Sequence, residues 1–376
     1  MRVLIGGDFC PQERVAQLIE AGMGHEVFAD VTKVVSDADY SIVNLECPIV
    51  EHWATPIEKC GPNLKATSVA VDAIKDAGFQ CVTLGNNHIY DYSDEGIEET
   101  IRVLEQKNLD YVGAGGNISE ASKVLYKQIG ESVLAVINAC ETEFSIASKD
   151  TGGANPLNPV HLYGIIQEAR QQANYVLLIV HGGVEHYALP TCRMKDLYHF
   201  FVDVGVDAVV NHHQHCYTGY EIYKGKPIFY GLGNFCFDSL CQRRQSWKEG
   251  FMVVLGLGVE ENPYELIPYI QCDVEAKVSL MSKDEKLGFE EKIEDLNTKI
   301  VDDSILFRCE SEFMEKTKDE YLLALEPYGN RLLRGLYRRR LLPSFISEKR
   351  RLQLLNNIVC ESHRDRLIHA IKYFNH

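Results

Sequence analysis

Three imidazoles fall within four positions at His212, His213 and His215, in the run Val-Asn-His-His-Gln-His over residues 210–215. The apolar stretch Gly-Val-Asp-Ala-Val-Val ends at Val210, so the run begins where a strand should stop. Alternate residues on an extended segment point the same way, which would send His213 and His215 to one point in space while His212 faces elsewhere. Such a pair grips zinc, iron, manganese and related ions, and strand ends and the loops after them are where sites of this kind are assembled. The plainer alternative is a polar loop rich in histidine.

The same chemistry recurs wherever an apolar run stops. Arg2–Gly6 leads into Gly7-Asp8-Phe9-Cys10, Tyr40–Leu45 into Glu46, and Cys81–Leu84 into Gly85-Asn86-Asn87-His88. Tyr175–Val180 leads into His181-Gly-Gly. In an open α/β sheet the carboxyl ends of parallel strands lie along one edge, so these side chains would converge there with the histidine run. Each has a blander reading. Asp8 suits a helix N-cap, Glu46 a surface charge, Asn86-Asn87 a left-handed turn capped by His88, and His181 a buried structural imidazole. Their joint occurrence at successive strand ends favours a site.

The elements that must carry them are legible as alternation. Helical periodicity over Gln12–Ala21, Ala66–Ala77, Asp94–Gln106, Val160–Ala173 and Lys195–Asp203 separates the apolar runs, with Tyr111–Val112 and Ala208–Val210 as further short strands. That pattern implies βαβ units and a mainly parallel core. Val124–Ile129 and Ser132–Ala139 read as a hairpin around Gly130. Glu221–Tyr223, Pro227–Tyr230 and Phe251–Leu257 read as an antiparallel series that turns at Lys224-Gly-Lys. Beyond about Glu260 the pattern turns helical, over Lys283–Thr298, Glu310–Leu325 and the basic end from Leu332, broken by Pro343. The expected division is a catalytic-looking domain over 1–260 and a helical extension over 261–376.

With 376 residues, 45% hydrophobic and 24% charged, the chain has material for one large core and a smaller one. A net charge of -16 argues against a general nucleic-acid binder, which needs a basic surface. The charge is uneven: residues 331–376 carry 11 Lys and Arg against 3 Asp and Glu, leaving 27 against 51 in the rest. The 12 cysteines show no Cys-x-x-Cys and sit mostly in apolar runs, as Cys81, Cys140 and Cys236 do, so reduced thiols are expected. No leader precedes the first apolar run and no stretch approaches the roughly 18–20 apolar residues that span a bilayer, so a cytoplasmic protein is expected.

Taken in order, Gly7-Asp8, Asn44-Leu45-Glu46, Asn86-Asn87-His88, His181-Gly-Gly and His212-His-Gln-His resemble the CapA capsule (poly-γ-glutamate) synthesis family, as does Gly231-Leu-Gly-Asn-Phe-Cys-Phe-Asp. That family is similar to the calcineurin-like metallophosphoesterases. The resemblance covers residues 1 to about 258 and leaves out the helical tail. It implies a four-layer α/β/β/α sandwich, here with a C-terminal helical extension, holding one or two divalent metal ions (Mn, Fe or Zn) at the strand ends. On that pattern Asp8 and His215 bind a first metal, Asn87, His181 and His213 a second, and Glu46 bridges. His88 falls where the superfamily places the group that protonates or stabilises the leaving oxygen. Two such ions activate water and clamp phosphoryl oxygens for in-line displacement.

Two positions depart from the pattern. The superfamily usually begins Asp-x-His, but Cys10 replaces that imidazole, either as a thiolate ligand or as a buried thiol; and Glu46 is one methylene longer than the usual bridging Asp. Glu185 and His186 are candidates for substrate contact or support of the ligands, Asp91 for orienting His88, and Asn234 for bordering the site. The expected function is a metal-dependent hydrolase acting on a phosphoester or related bond in capsule or surface-polymer metabolism. The alternative is a non-catalytic accessory protein that binds polymer intermediates or a polymer synthase. Expected partners are a small-molecule or polymer substrate and capsule synthesis proteins. Arg338-Arg339-Arg340 with Lys349-Arg350-Arg351 would dock an acidic partner, a polyanion or a membrane surface, or form a solvated face against the acidic main domain.

Overall fold

The computed structural model describes residues 1–51, 54–241, 244–258 and 263–372. The chain opens with β1 (Arg2–Phe9), α1 (Glu13–Glu20), α2 (Gly24–Ser36), β2 (Tyr40–Leu45), α3 (Val69–Asp76), β3 (Cys81–Thr83), α4 (Ser93–Gln106) and β4 (Asp110–Val112). Next come β5 (Ala114–Gly115), α5 (Ile118–Ala121), β6 (Leu125–Ile129), β7 (Ser132–Cys140), β8 (Gly153–Ala154), α6 (Pro159–Gln172), β9 (Tyr175–His181), α7 (Cys192–Asp203) and β10 (Ala208–His212). Then follow β11 (Tyr220–Tyr223), β12 (Lys226–Phe229), β13 (Asn234–Cys236), α8 (Gln245–Lys248), β14 (Glu249–Gly256), β15 (Tyr264–Gln271) and β16 (Val278–Leu280). The helices α9 (Lys283–Val301), α10 (Asp303–Ala324), α11 (Arg331–Arg338), α12 (Glu348–Val359) and α13 (Glu361–Lys372) complete it.

Two sheets form the core. The first has the order β16-β15-β14-β1-β2-β3-β4, with β13 also paired to β1; the second has the order β11-β12-β10-β9-β7-β6. β1 to β4 are parallel neighbours, and so are β7, β9, β10 and β12. The two-residue period sorts each strand between layers. Val3, Ile5, Ile42 and Cys81 face inward against Leu134, Val136, Leu177, Ile179 and Val210 of the other sheet. The alternate residues Leu4, Val43 and Val82 pack instead on Val15, Phe28, Val31, Val71 and Ile74 of α1, α2 and α3. Helices α6 and α7 lie against the second sheet. The result is a four-layer α/β/β/α sandwich, sealed by two buried apolar faces rather than one.

Local signals place the helices. Asn158 accepts from the backbone of Val160 and His161 with Pro159 in the first turn of α6, Thr191 caps α7, and Ser282 with Glu285 forms a capping box on α9. Helix α2 is absent from the sequence expectations although Val27, Phe28, Val31 and Val35 carry a helical period. Two other expectations are corrected, the pairing of Phe251–Leu257 and a wholly helical chain beyond about residue 260. Phe251–Leu257 does not continue the β11–β12 hairpin: β14 crosses to the other sheet and pairs antiparallel with β1, because its inward Phe251, Val253 and Leu255 fill the space between the sheets. The boundary near residue 260 falls on 259–262, outside the described residues. β15 and β16 extend the first sheet past it, and the compact units run Met1–Phe307 and Arg308–His376.

The second unit has its own small core. The rings of Tyr337 and Phe345 lie 5.3 and 5.9 Å from that of Tyr328, and Glu326 accepts from Tyr337 and from the backbone of Phe345. Arg338, Arg339, Arg340, Lys349, Arg350 and Arg351 are exposed or half-exposed there. The end of the expected basic tail, residues 373–376, lies outside the described residues.

Strand β13 comes so close to β1 that a Cβ on Gly7 would sit 1.9 Å from the carbonyl oxygen of Gly233. Gly7→Ala is therefore expected to force β13 off β1 at a cost of roughly 1–3 kcal/mol or more, read as a lowered urea midpoint at unchanged m-value.

Candidate metal centre

Strand register brings the polar residues together. Asp8 is paired across the ladder with Asn44 on one side and Asn234 on the other, and His181 with His212 in the second sheet. Glu46 follows β2 directly, its backbone N–H donating to Phe9 O at 2.9 Å. Asn87 and His88 follow β3, and His213 and His215 follow β10. The carboxyl edges of both sheets thus meet at one place, where Asp8, Glu46, His181, His213 and His215 are all buried.

The histidine run does not converge by strand alternation as expected. β10 ends at His212, and the backbone then turns through positive φ at His213 (97°) and His215 (54°), a region L-residues enter only when their surroundings hold them there. The holding groups are identifiable. His213 donates its backbone N–H to Asp8 Oδ2 at 3.2 Å, while Gln214 turns back into the scaffold, donating to Tyr230 O at 2.7 Å and accepting from Asn211 at 2.9 Å. His212 also points away from the site, 2.9 Å from Gly6 O of the facing sheet. It therefore faces elsewhere, as expected, and this contact ties β10 to β1. Gly183, at φ +108°, lets the turn after His181 pass Gln214, whose Nε2 would lie 2.8 Å from a Cβ there.

Two sets of possible ligands result, Glu46 with His181 and His213, and Asp8 with Glu46 and His215; within each, the ligand atoms lie within 4.8 Å of one another. Glu46 is common to both. Its carboxylate is fully buried, and among the described residues neither oxygen has a hydrogen-bond partner. His181 Nε2 stands 3.6 Å from Glu46 Oε1 and His215 Nε2 3.7 Å from it. These gaps are too long for hydrogen bonds and suit donors about a shared ion with bonds of roughly 2.0–2.2 Å. Asn87 Oδ1 lies 3.0 Å from His181 Nε2, beside the set of Glu46, His181 and His213.

Neighbouring amides orient the ligands. Asn234 donates to Trp247 O at 3.2 Å, which leaves its Oδ1 to accept from His215 Nδ1 at 2.8 Å and frees His215 Nε2 toward Glu46. Asn44, part of the Asn44-Leu45-Glu46 motif but given no role there, donates to Asp8 Oδ1 at 2.8 Å and reaches His181 Nδ1 at 3.3 Å. Its place two residues before Glu46 on an all-buried strand was the available signal. His88 Nδ1 lies 2.7 Å from Asp91 Oδ2, outside both sets. Lys59 touches the same carboxylate, and Glu143 accepts from Asn87 at 3.4 Å; neither was foreseen. Cys10 and Glu185 join neither set among the described residues. Cys10 is buried with its thiol pushed up by burial and then by Cys47, and Glu185 is exposed. The ring of His186 lies 5.9 Å from that of Trp247, tilted by 52°.

The electrostatics of the set point to a cation. Burial first, and then Asp8, push the Glu46 carboxyl well above its ordinary range. Burial first, and then the other imidazoles, hold His181 well below its own; burial also lowers His212 and His215. Neutral imidazoles around an unpartnered carboxylate form a donor set that a divalent ion satisfies.

Metal-free protein should report this imbalance. Glu46 binds its proton more tightly folded than unfolded, so its contribution is present below the unfolded carboxyl pKa and is lost as pH rises through the folded one. His181, His212 and His215 act oppositely, their contribution being lost as pH falls below about 6.5. Glu46→Gln is expected to raise chelator-treated stability by roughly 1–3 kcal/mol at neutral pH, with an advantage over wild type that widens as pH is raised. It should also abolish the melting shift produced by Mn2+ or Zn2+. Urea and thermal melts across pH check both outcomes.

Comparison with known proteins follows the same residues. The sequence model described as bacterial capsule synthesis protein PGA_cap matches residues 2–239. The capsule biosynthesis protein CapA of Bacillus anthracis is 32% identical over 240 residues, covering 62% of this chain and 58% of its own. The PGA biosynthesis protein CapA of Bacillus subtilis is 30% identical over 235 residues, covering 62% of each. The chain therefore spans about three fifths of the length of these curated relatives. A phosphatase of Mycoplasma pneumoniae aligns over 73% of this chain and 95% of its own at 15% identity, with a TM-score of 0.46. No helix among the described residues is long and apolar enough to cross a membrane. With the family model matching well over half of its length, the chain belongs to the bacterial capsule synthesis PGA_cap family.

Proposed function

We propose that the chain is a metal-dependent hydrolase cleaving a phosphoester or related bond in capsule or surface-polymer metabolism. The observation that carries this reading is the buried, unpartnered Glu46 shared between two sets of possible ligands. Asp8 and His215 would hold one ion, Asn87, His181 and His213 a second, and Glu46 would serve both. When bound, divalent ions there supply Lewis-acid charge to phosphoryl oxygens and increase the acidity of water.

The chain's own groups do the rest. Burial lowers the pKa of His181 and His215, so their lone pairs are available at neutral pH. Asn234 and Asn44 fix which nitrogen of His215 and which oxygen of Asp8 face the site. His88, oriented at Nδ1 by Asp91, presents its other nitrogen for proton delivery to the leaving oxygen. A second reading, an accessory protein that binds polymer without cleaving it, draws on Cys10, whose buried thiol leaves the first set with three side chains. In either reading the exposed basic groups of the second unit offer a surface to an acidic partner.

Metal analysis combined with turnover tests the proposal. Full-length protein is expected to retain Mn, Fe or Zn, to cleave an aryl phosphoester, and to lose that activity to a chelator. His213→Ala should reduce kcat/KM by roughly 100-fold or more, since outer partners of metal ligands already cost about 10–100-fold. Metal retained without turnover on any phosphoester would favour the accessory reading. Absence of both metal and turnover would remove the hydrolase altogether.

A further inference from the structure

Lys59 is a buried cation that the hydrolase reading does not use. Its side chain is 4% exposed, and its ammonium pairs with Asp91 Oδ1 while standing 3.1 Å from His88 Nδ1. Asp91 is fully buried, and its other oxygen accepts from His88 Nδ1 and from the backbone N–H of Leu64, each at 2.7 Å. Its backbone carbonyl accepts from Ile57 N–H at 3.0 Å, and Asn63 donates to Ile57 O at 3.0 Å. Residues 57–64 are therefore fastened across Asp91 at Ile57, Lys59 and Leu64, and the segment is irregular, with no helix or strand to hold it in place otherwise.

We propose that Lys59 is a positioning residue for the His88–Asp91 pair, delivered by the 57–64 segment acting as a strap; the inference rests on the hydrolase reading of that pair. Burying an ammonium and a carboxylate together costs desolvation that an apolar pair would avoid, so the arrangement is poorly explained by stability alone. Its geometric effect is specific. With Lys59 on Oδ1, the carboxylate plane cannot rotate, and Oδ2 stays aimed at His88 Nδ1. That fixes the imidazole at one edge and turns its other nitrogen away from Asp91. Without Lys59, Oδ1 loses its side-chain donor and Asp91 can swing, taking His88 with it. The positive charge also offsets Asp91, so His88 does not face an uncompensated buried carboxylate.

The test uses full-length protein with Lys59→Met and Lys59→Arg, and Lys59→Gln should Lys59→Met fail to fold. In proton NMR of the metal-free and Zn2+-loaded protein, wild type should show a downfield Nδ1–H resonance that His88→Gln removes. Lys59→Met should broaden or lose it, and Lys59→Arg should restore it. On an aryl phosphoester, Lys59→Met should lower kcat by about 10- to 100-fold with KM and bound metal unchanged, and Lys59→Arg should recover part of the loss. A resonance lost in Lys59→Met while no form hydrolyses anything would keep the strap and discard the hydrolase. A wild-type spectrum without that proton, or Lys59→Met with unchanged resonance and unchanged kcat, would overturn the inference about Lys59 alone.

Discussion

A carboxylate held away from water with neither oxygen hydrogen-bonded is tolerated only if it is protonated or if something positive belongs beside it, and Glu46 is such a group. It stands at the meeting point of two sheets, with His181 Nε2 and His215 Nε2 at 3.6 and 3.7 Å. The carboxylate is driven toward its neutral form and His181 and His215 toward theirs, by the same cause, the dryness of the junction. A divalent ion bound there would relieve both, since it takes the carboxylate as an anion and the imidazoles as neutral donors. Much of the surrounding architecture reads as the means of keeping this junction dry and its donors aimed.

The means are mostly amides. Asn44 reaches across from β2 to Asp8 and His181, Asn234 arrives on β13 to orient His215, and Asn211 with Gln214 anchors the turn that follows β10. Amides suit this work because they bring two donors and an acceptor without a further charge. The turn itself carries positive φ at His213 and His215, and strain of that kind persists only where several bonds over-determine it. Here Asp8 Oδ2, Tyr230 O and Asn211 do so from three different strands or their ends.

Membership of the capsule synthesis family and a donor set of this kind bear on different questions. The family match describes residues 2–239 and so includes every member of the two ligand sets, while the helical unit from Arg308 lies beyond it. His88 and Asp91 form a separate pair beside the ligand sets, and the strap over Asp91 adds a cation to it. The possible ligands sit at the carboxyl ends of β1, β2, β9 and β10, and the His88–Asp91 pair follows β3 and is met by Lys59 from the segment after β2.

The order of residues alone reveals the alternation of strands and helices, the run of polar side chains at strand ends, and hence Asp8, Glu46, Asn87, His181, His213 and His215 as a candidate group. These are legible because burial period and strand termini are local properties, written in a window of a few residues. Which sheet each strand joins is not local. Phe251–Leu257 looks like the continuation of a hairpin yet pairs with β1, and β15 and β16 extend a sheet that seemed to have ended near residue 260. The same holds at the site. Lys59 and Glu143 carry no motif, and Asn44 sits in one without an evident role; all three matter because distant segments fold against them. Cys10 follows Asp8 by two residues and still packs in the apolar core, where the pairing of β1 with β13 slips between Asp8 and Phe9 instead of following strict alternation. Residue type and spacing fix what chemistry a side chain brings; long-range packing fixes the distances at which that chemistry can act.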